Sequence, residues 1–486
     1  MNRSLHLLPC AALSVLVAGC AALGGADAPS VQGVAPVPAA WSQPAPAGAT
    51  AADLRSWWKA FNDPALDALV QEALASNLDL AQAASRLREA RLQSGRAALQ
   101  FRPSLGASAR SLQDISATDT YFHASLDMVW ELGLFGAGES TRQAGEAELD
   151  AAGADAQGVR VAVVADVVRN YLDLRAARRQ AQRLAQMAAL DERSAALAEV
   201  RLRTRLGPAD EIVQARVRAS QARAAQAPLA EASARAAQAL AVLVGRTTPD
   251  PAWSAEVPGS APPTLAPFAL VELPADLLRT RPDVHAAEAE VNKAAAALGL
   301  ARSELYPRIS LMGSLLYSYN ITQHFRTRSE NAPALGPVID VPLFDWGRRQ
   351  MQVQARQEAV NAALLGYRKA VNNGVAEVEG ALAALGAQQA RADALAQALG
   401  LLRQRTAAGQ AQIRLGLASE YDGLPQRRAE LQAAAEWDTA QDARALAFVA
   451  LYKALGGAPL PPAEPKVGAA APEATRIAEH IAGTAP

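Results

Sequence analysis

Two hydrophobic periods alternate along this chain. From Tyr121 to Trp130, the residues Phe122, Ala124, Leu126, Met128 and Trp130 fall on one side of an extended backbone. Tyr121, His123, Ser125, Asp127 and Val129 fall on the other. That is the two-residue period of a strand with one apolar and one mostly polar face. From Ile309 to Ile321 the pattern returns, with Ile309, Leu311, Leu315, Tyr317, Tyr319 and Ile321 opposite Ser310, Ser314, Ser318 and Asn320. Segments 103–113 and 333–343 alternate more weakly, through Leu335, Ile339, Val341 and Leu343 in the second. Four strands are predicted, within 103–130 and 307–343. Each pair leads into a proline-free run of helix formers (Ala, Leu, Arg, Gln, Glu), at 137–206 and 347–416. A helix of about 70 residues is roughly 105 Å long. Helices of that length need lateral partners throughout, and their many alanines suit a wall of side-by-side helices, although a coiled coil without a bore fits the same pattern.

The two halves repeat one order of parts. Sliding the sequence by 204 positions aligns Asp79 with Asp283, Gly95 with Gly299, Pro103 with Pro307 and Leu105 with Ile309. A slightly larger offset brings 207–211 over 416–422. An internal two-fold sequence repeat predicts a first unit at 53–248, a Pro-rich linker at 249–274 and a second unit at 275–457. The segments 20–52 and 458–486 are rich in Ala, Pro and Gly, with few large apolar groups, and are predicted to be flexible.

The start of the chain changes the picture. Arg3 precedes an apolar run from Leu5 to Val17 that is too short for a membrane helix, followed by Ala18-Gly19-Cys20. Small residues directly before a cysteine resemble the lipobox of bacterial lipoproteins. That resemblance implies removal of a signal peptide, 1–19, and a covalent lipid on Cys20. Ala21, where Asp would imply retention at the inner membrane, implies the outer membrane. Cys10 leaves with the signal peptide, so one mature chain can form no disulfide. The net charge is −1, from 47 basic and 48 acidic residues, which leaves no electrostatic footprint for nucleic acid. After the signal no apolar run is long enough for a helical span, so a membrane crossing would have to be made by strands.

A soluble half-buried sheet would show the same alternation. The lipoprotein signal favours membrane strands, as do the aromatic residues Tyr121, Phe122, Trp130, Tyr317 and Tyr319 towards strand ends. Closed membrane barrels need about eight strands or more, so four imply an oligomer.

Three stretches carry a family resemblance. Trp57-Trp58-Lys59-Ala60-Phe61-Asn62-Asp63-Pro64-Ala65-Leu66 with Ala73–Leu80, Arg281-Pro282-Asp283-Val284-His285-Ala286-Ala287-Glu288, and Val341–Arg349 together resemble the TolC-like outer-membrane factors. Within that family they resemble the NodT-type lipoproteins of resistance-nodulation-division (RND) efflux pumps. The likeness runs from about Trp57 to Leu455. It implies an α+β membrane protein: a homotrimer whose twelve-stranded outer-membrane β-barrel, four strands per chain, continues as a long periplasmic α-helical barrel. It also implies an equatorial belt formed by the linker and terminal segments, a periplasmic adaptor and an inner-membrane RND transporter as partners, and small molecules as cargo. Residues 114–120, between the first two strands, are very short for an external loop.

No catalytic set is evident. His6, His123, His285, His324 and His480 lack metal-ligand spacing, and there is neither a phosphate loop nor a nucleophile elbow. The expectation is a non-enzyme with no cofactor beyond the lipid. The charged candidates lie at the helix breaks: Asp210 and Glu211 after Gly207, Glu420 and Asp422 after Gly416, and Arg405 and Arg414 just before it. The resemblance puts these turns at the tapered periplasmic end, where a three-fold axis would gather the carboxylates and invite arginines between them. Acids just after a helix break are equally well explained as caps and dipole partners. If they form a gate, replacing Asp422 and Arg414 by Ala leaves a leaky resting channel. The exit duct of a type I protein secretion machine and a poreless structural lipoprotein are the competing functions.

Overall fold

The computed structural model describes residues 38, 40–41, 50–51, 56–113, 119–254, 263, 265, 268–269, 280–322, 325–326 and 333–457. The predicted signal peptide 1–19, Cys20, nearly all of 20–52, most of the 114–120 link, much of the 249–274 linker and the 458–486 tail lie outside them.

Two helices open the chain, α1 (Pro64–Ser76) and α2 (Leu78–Leu99). Asp63 caps α1 by accepting from the Ala65 N–H at 3.0 Å, with Pro64 in the first helical position. Asn77 caps α2 through the Leu80 N–H, and its amide donates to the Leu243 carbonyl at 2.8 Å. Strands β1 (Ser104–Gln113) and β2 (Thr120–Glu131) follow, then the long α3 (Ala137–Arg203), α4 (Asp210–Ala224) and α5 (Gln226–Leu243). The second half supplies α6 (Pro282–Ser303), β3 (Arg308–Asn320), β4 (Pro333–Asp340), the long α7 (Arg348–Arg414) and α8 (Glu420–Ala454). The matched parts have equal lengths: α2 and α6 have 22 residues each, and α3 and α7 have 67 each. Both long helices begin with the same backbone device. Phe135-Gly136 and Trp346-Gly347 all have positive φ, which reverses the chain sharply from strand to helix.

The strands form one antiparallel meander in the order β1-β2-β3-β4, and the two halves join where Tyr121 opposes Asn320. Phe325–Arg326 extends the β4 edge by pairing with Tyr319 and Asn320. The register sorts the side chains as the alternation predicts. Leu105, Ala107, Leu126, Met128, Trp130, Leu311, Leu315, Leu335 and Ile339 share one face; Gly106, Ser108, Ser125, Asp127 and Ser314 share the other. On the polar face, Ser125 and Ser314 donate to the two oxygens of Asp127 at 2.6 and 2.7 Å. The apolar face is open, with Leu105 and Leu335 more than two-thirds exposed.

The long helices stand side by side as a single layer. Near the sheet, α2 packs on α3, α3 on α6 and α6 on α7; further away α4 and α5 pack on α3, and α8 bridges α3 and α7. The main core gathers at mid-length, where Val161–Leu174 of α3 meets α1, α5 and the end of α8. Trp57 stacks on Tyr452 with centroids 4.2 Å apart and touches Phe448 and Trp58. Beyond this core the buried α3 positions are alanines (Ala177, Ala188, Ala195 and Ala198) interrupted by Arg179 and Asp191. Helix α7 buries seven residues against nineteen in the equally long α3, which leaves one side of the layer uncovered. Among the described residues no helix is long and apolar enough to cross a membrane.

Candidate functional site

The two long helices turn back at the end of the molecule away from the sheet. Helix α3 stops where the Leu206 N–H returns to the Arg201 carbonyl at 2.7 Å; α7 stops where the Leu417 N–H returns to the Gln412 carbonyl at 2.9 Å. Both closures need a left-handed residue. In the second turn it is Gly416, as the sequence suggests, but in the first it is Arg205 and not Gly207. Gly207 has a different role. A Cβ there would lie 2.9 Å from the Glu211 carboxylate and 3.2 Å from Arg201 Nε, so its bareness leaves room for that pair.

Helix α8 starts beside the last turns of α3, and the acids divide into two kinds. Glu420 receives a bidentate contact from Arg193 of α3, Nε at 2.8 Å and Nη2 at 2.7 Å. The hydrogen bonds from Arg193 hold the Glu420 carboxyl below its usual range. Glu211 faces Arg201 Nε at 3.4 Å, and the Arg201 guanidinium lies 4.5 Å from the centroid of the Tyr421 ring while donating to the Leu206 carbonyl at 3.0 Å. Burial, then the Glu211 carboxylate, push the Tyr421 phenol up. Arg201 thus touches α4, its own turn and α8 at once. Asp422 forms a capping box: the Ser419 hydroxyl accepts from the Asp422 N–H, and the Asp422 carboxylate accepts from the Ser419 N–H at 3.0 Å. Asp210 sits in the first turn of α4 and accepts from Gln214. Within one chain, then, Asp210 and Asp422 serve helix starts, whereas Glu211 and Glu420 join helices.

Arg405 and Arg414 are exposed and form no ion pair among the described residues, so the chain does not bring them to the acids beside them in sequence. The arginines that do meet those acids, Arg193 and Arg201, lie on α3 and were not among the sequence candidates. Further from the turn, Asp191 of α3 is 2% exposed and takes both Arg218 of α4, at 3.1 Å, and Arg428 of α8. Its sequence signal is an acid on a stripe of buried alanines, Ala188, Asp191, Ala195 and Ala198. Among the described residues no group of three or more His, Cys, Asp or Glu side chains is arranged to hold a metal ion. The end therefore offers an ionic and aromatic fastening between two helical hairpins.

Comparison with known proteins gives one consistent result. The sequence pattern of the outer membrane efflux proteins matches residues 69–246 and 273–457. The chain is 31% identical to the pyoverdine export outer membrane protein OpmQ of Pseudomonas aeruginosa, over 90% of this chain and 94% of that protein. It is 27% identical to nodulation protein T of Rhizobium leguminosarum bv. trifolii, over 84% and 87% of the two. The solved structure of the outer-membrane channel OprN superimposes with a TM-score of 0.73 at 27% identity, covering 87% of this chain and 97% of that one.

Proposed function

The chain belongs to the outer membrane efflux protein family, and from that premise we propose that three copies form the outer-membrane channel of a tripartite RND-type efflux system. The observation that carries this reading is the sheet: four strands with two edges, β1 and β4, unpaired among the described residues, one face apolar and the other polar, attached to 67-residue helices. Strands of 10, 12, 13 and 8 residues suit a tilted membrane crossing of about 9–11 residues. Four strands cannot close, and open edges in lipid leave backbone groups unsatisfied. Three copies pairing β1 to β4 give twelve strands, with Leu105, Leu126 and Leu335 towards lipid and Ser108, Ser125 and Asp127 towards the bore. The open side of each helical layer then meets the next copy and completes a periplasmic duct about 100 Å long.

The two like halves, with α2 and α6 offset by 204 positions, are read as a duplicated unit. Cys20 carries the lipid that anchors the mature chain at the outer membrane. The fastened end points into the periplasm, towards an adaptor and an inner-membrane RND transporter, and small molecules pass through by conduction without chemical change. Support for the cargo class comes from relatives such as the toluene efflux pump outer membrane protein TtgI of Pseudomonas putida. The test is the susceptibility of a deletion strain, with and without the restored gene, to antibiotics, dyes, detergents, solvents and metal ions. Hypersensitivity reversed by the gene is the expected result. Unchanged susceptibility with loss of a secreted protein would transfer the duct to type I secretion.

A further inference from the structure

Helix α8 has a weak joint close to its start. Pro425 lies in its sixth position, with no N–H to return to the Tyr421 carbonyl and a ring that crowds it. Gly423, two residues before, is held bare by Ile413 of α7, whose Cδ1 would lie 2.6 Å from an added Cβ. The helix thus lacks one backbone hydrogen bond between Tyr421 and Pro425.

The two sides of this joint are held differently. Towards the turn, Glu420 and Tyr421 are gripped by Arg193 and Arg201, and the Arg193–Glu420 pair is about half exposed at both side chains. Beyond the joint, Arg428 is fixed to the buried Asp191, which Arg218 of α4 holds from the other side. The Asp191 end of that tie is 3% exposed at its side chain, so water screens the Arg428 contact less than it screens the half-exposed Arg193–Glu420 pair. The weaker hold is therefore at the turn. Between the two lies a cavity of about 290 Å³, lined by Leu190, Ser194, Tyr421, Leu424 and Pro425 together with the Asp191 node. Tyr421 and Leu424 of the segment before the joint border this space.

We propose that Pro425 is a hinge and the Asp191–Arg218–Arg428 node its fixed point, so that Glu420–Leu424 swings as a short lever while the rest of α8 stays docked on α3. This rests on the channel reading. Asp191 is in this sense a positioning residue: it touches no cargo and sets where the moving part of α8 ends.

The experiment compares two cross-links in the full-length protein in planar bilayers, each made with a short bifunctional thiol reagent. One, the node link, joins Gln180→Cys to Thr439→Cys on the docked side of the node and leaves Asp191, Arg218 and Arg428 in place; the other, the lever link, joins Arg193→Cys to Glu420→Cys. The expected result is that the node link leaves openings unchanged, whereas the lever link abolishes them. Loss of openings with the node link would mean that α8 moves as one rod, and would overturn the hinge. Alongside, Pro425→Ala restores a backbone hydrogen bond in each of three helices and should lower open probability on the order of tenfold with the open conductance unchanged. An unaltered open probability in a folded Pro425→Ala trimer also overturns the hinge. Absence of conductance from the wild type itself would instead strike the channel reading.

Discussion

Replacing Arg201 by Ala removes a side chain that touches both helical hairpins and the turn between α3 and α4. Its contact over the Tyr421 ring, at 4.5 Å, is the part that crosses from α3 to α8. Arg201 is 30% exposed at its side chain, so a cation–π contact there is worth about 1 kcal/mol. The Glu211 pair at 3.4 Å lacks hydrogen-bond geometry, is also partly exposed, and adds a few tenths at most. The bond to the Leu206 carbonyl stays within the first hairpin and contributes to its folding, not to closure. One chain therefore loses about 1 kcal/mol of closure and, in the proposed trimer, three concerted copies about 3 kcal/mol, roughly a hundredfold in the open-to-closed ratio. Single-channel recording at fixed voltage measures that ratio directly. Glu211→Gln, which leaves the ring contact in place, should move it by less than a factor of three. An Arg201→Ala trimer as closed as the wild type would refute the reasoning, because no other described side chain replaces that contact.

Three further outcomes follow from individual residues. Asp422→Ala destroys the capping box and should cost α8 about 1 kcal/mol; Arg414→Ala, with no ion-pair partner in its own chain, should change conductance only through a neighbouring copy, so a double-mutant cycle in bilayers should come out additive. Trp57→Ala empties the aromatic core against Phe448 and Tyr452 and should cost about 3–5 kcal/mol, seen as a lower Tm of the detergent-solubilised protein; an unchanged Tm would contradict that packing. Burial pushes the Asp442 carboxyl up to about 6, although Arg179 beside it works in the other direction. With the folded value above the unfolded one, the native chain holds an extra proton between roughly pH 4 and 6, so stability falls as pH rises through that window, by at most about 3 kcal/mol. Asp442→Asn should flatten that slope, and an unchanged pH dependence would exclude Asp442 as its source.

The elements set by local periodicity were the ones most legible in the sequence. Alternation between Tyr121 and Trp130 is enough to identify a strand and its two faces, and the observed register puts Leu126 and Asp127 on the sides it predicts. Long runs of helix formers without proline mark α3 and α7 because nothing local interrupts their hydrogen bonding. The tip was legible in position and not in wiring. Glu420 finds Arg193, 227 residues away, and Asp191 finds Arg428, 237 residues away, so no local spacing links either pair. Nearness in sequence instead suggested Arg405 and Arg414, which are exposed and form no ion pair among the described residues. The cap and the tie also look alike in sequence. Asp422 and Glu420 are two residues apart at one helix start, and only the position of Ser419 and of α3 separates their roles.

On the proposed reading, this chain closes a membrane duct only as three copies. Electron cryo-microscopy of the purified full-length protein in lipid nanodiscs tests it most directly. The expected result is a three-fold particle with twelve strands inside the disc, β1 of each copy paired with β4 of the next, and a helical duct extending about 100 Å outside it. A monomer, or a sheet lying outside the lipid with its apolar face covered by something other than the membrane, would contradict it.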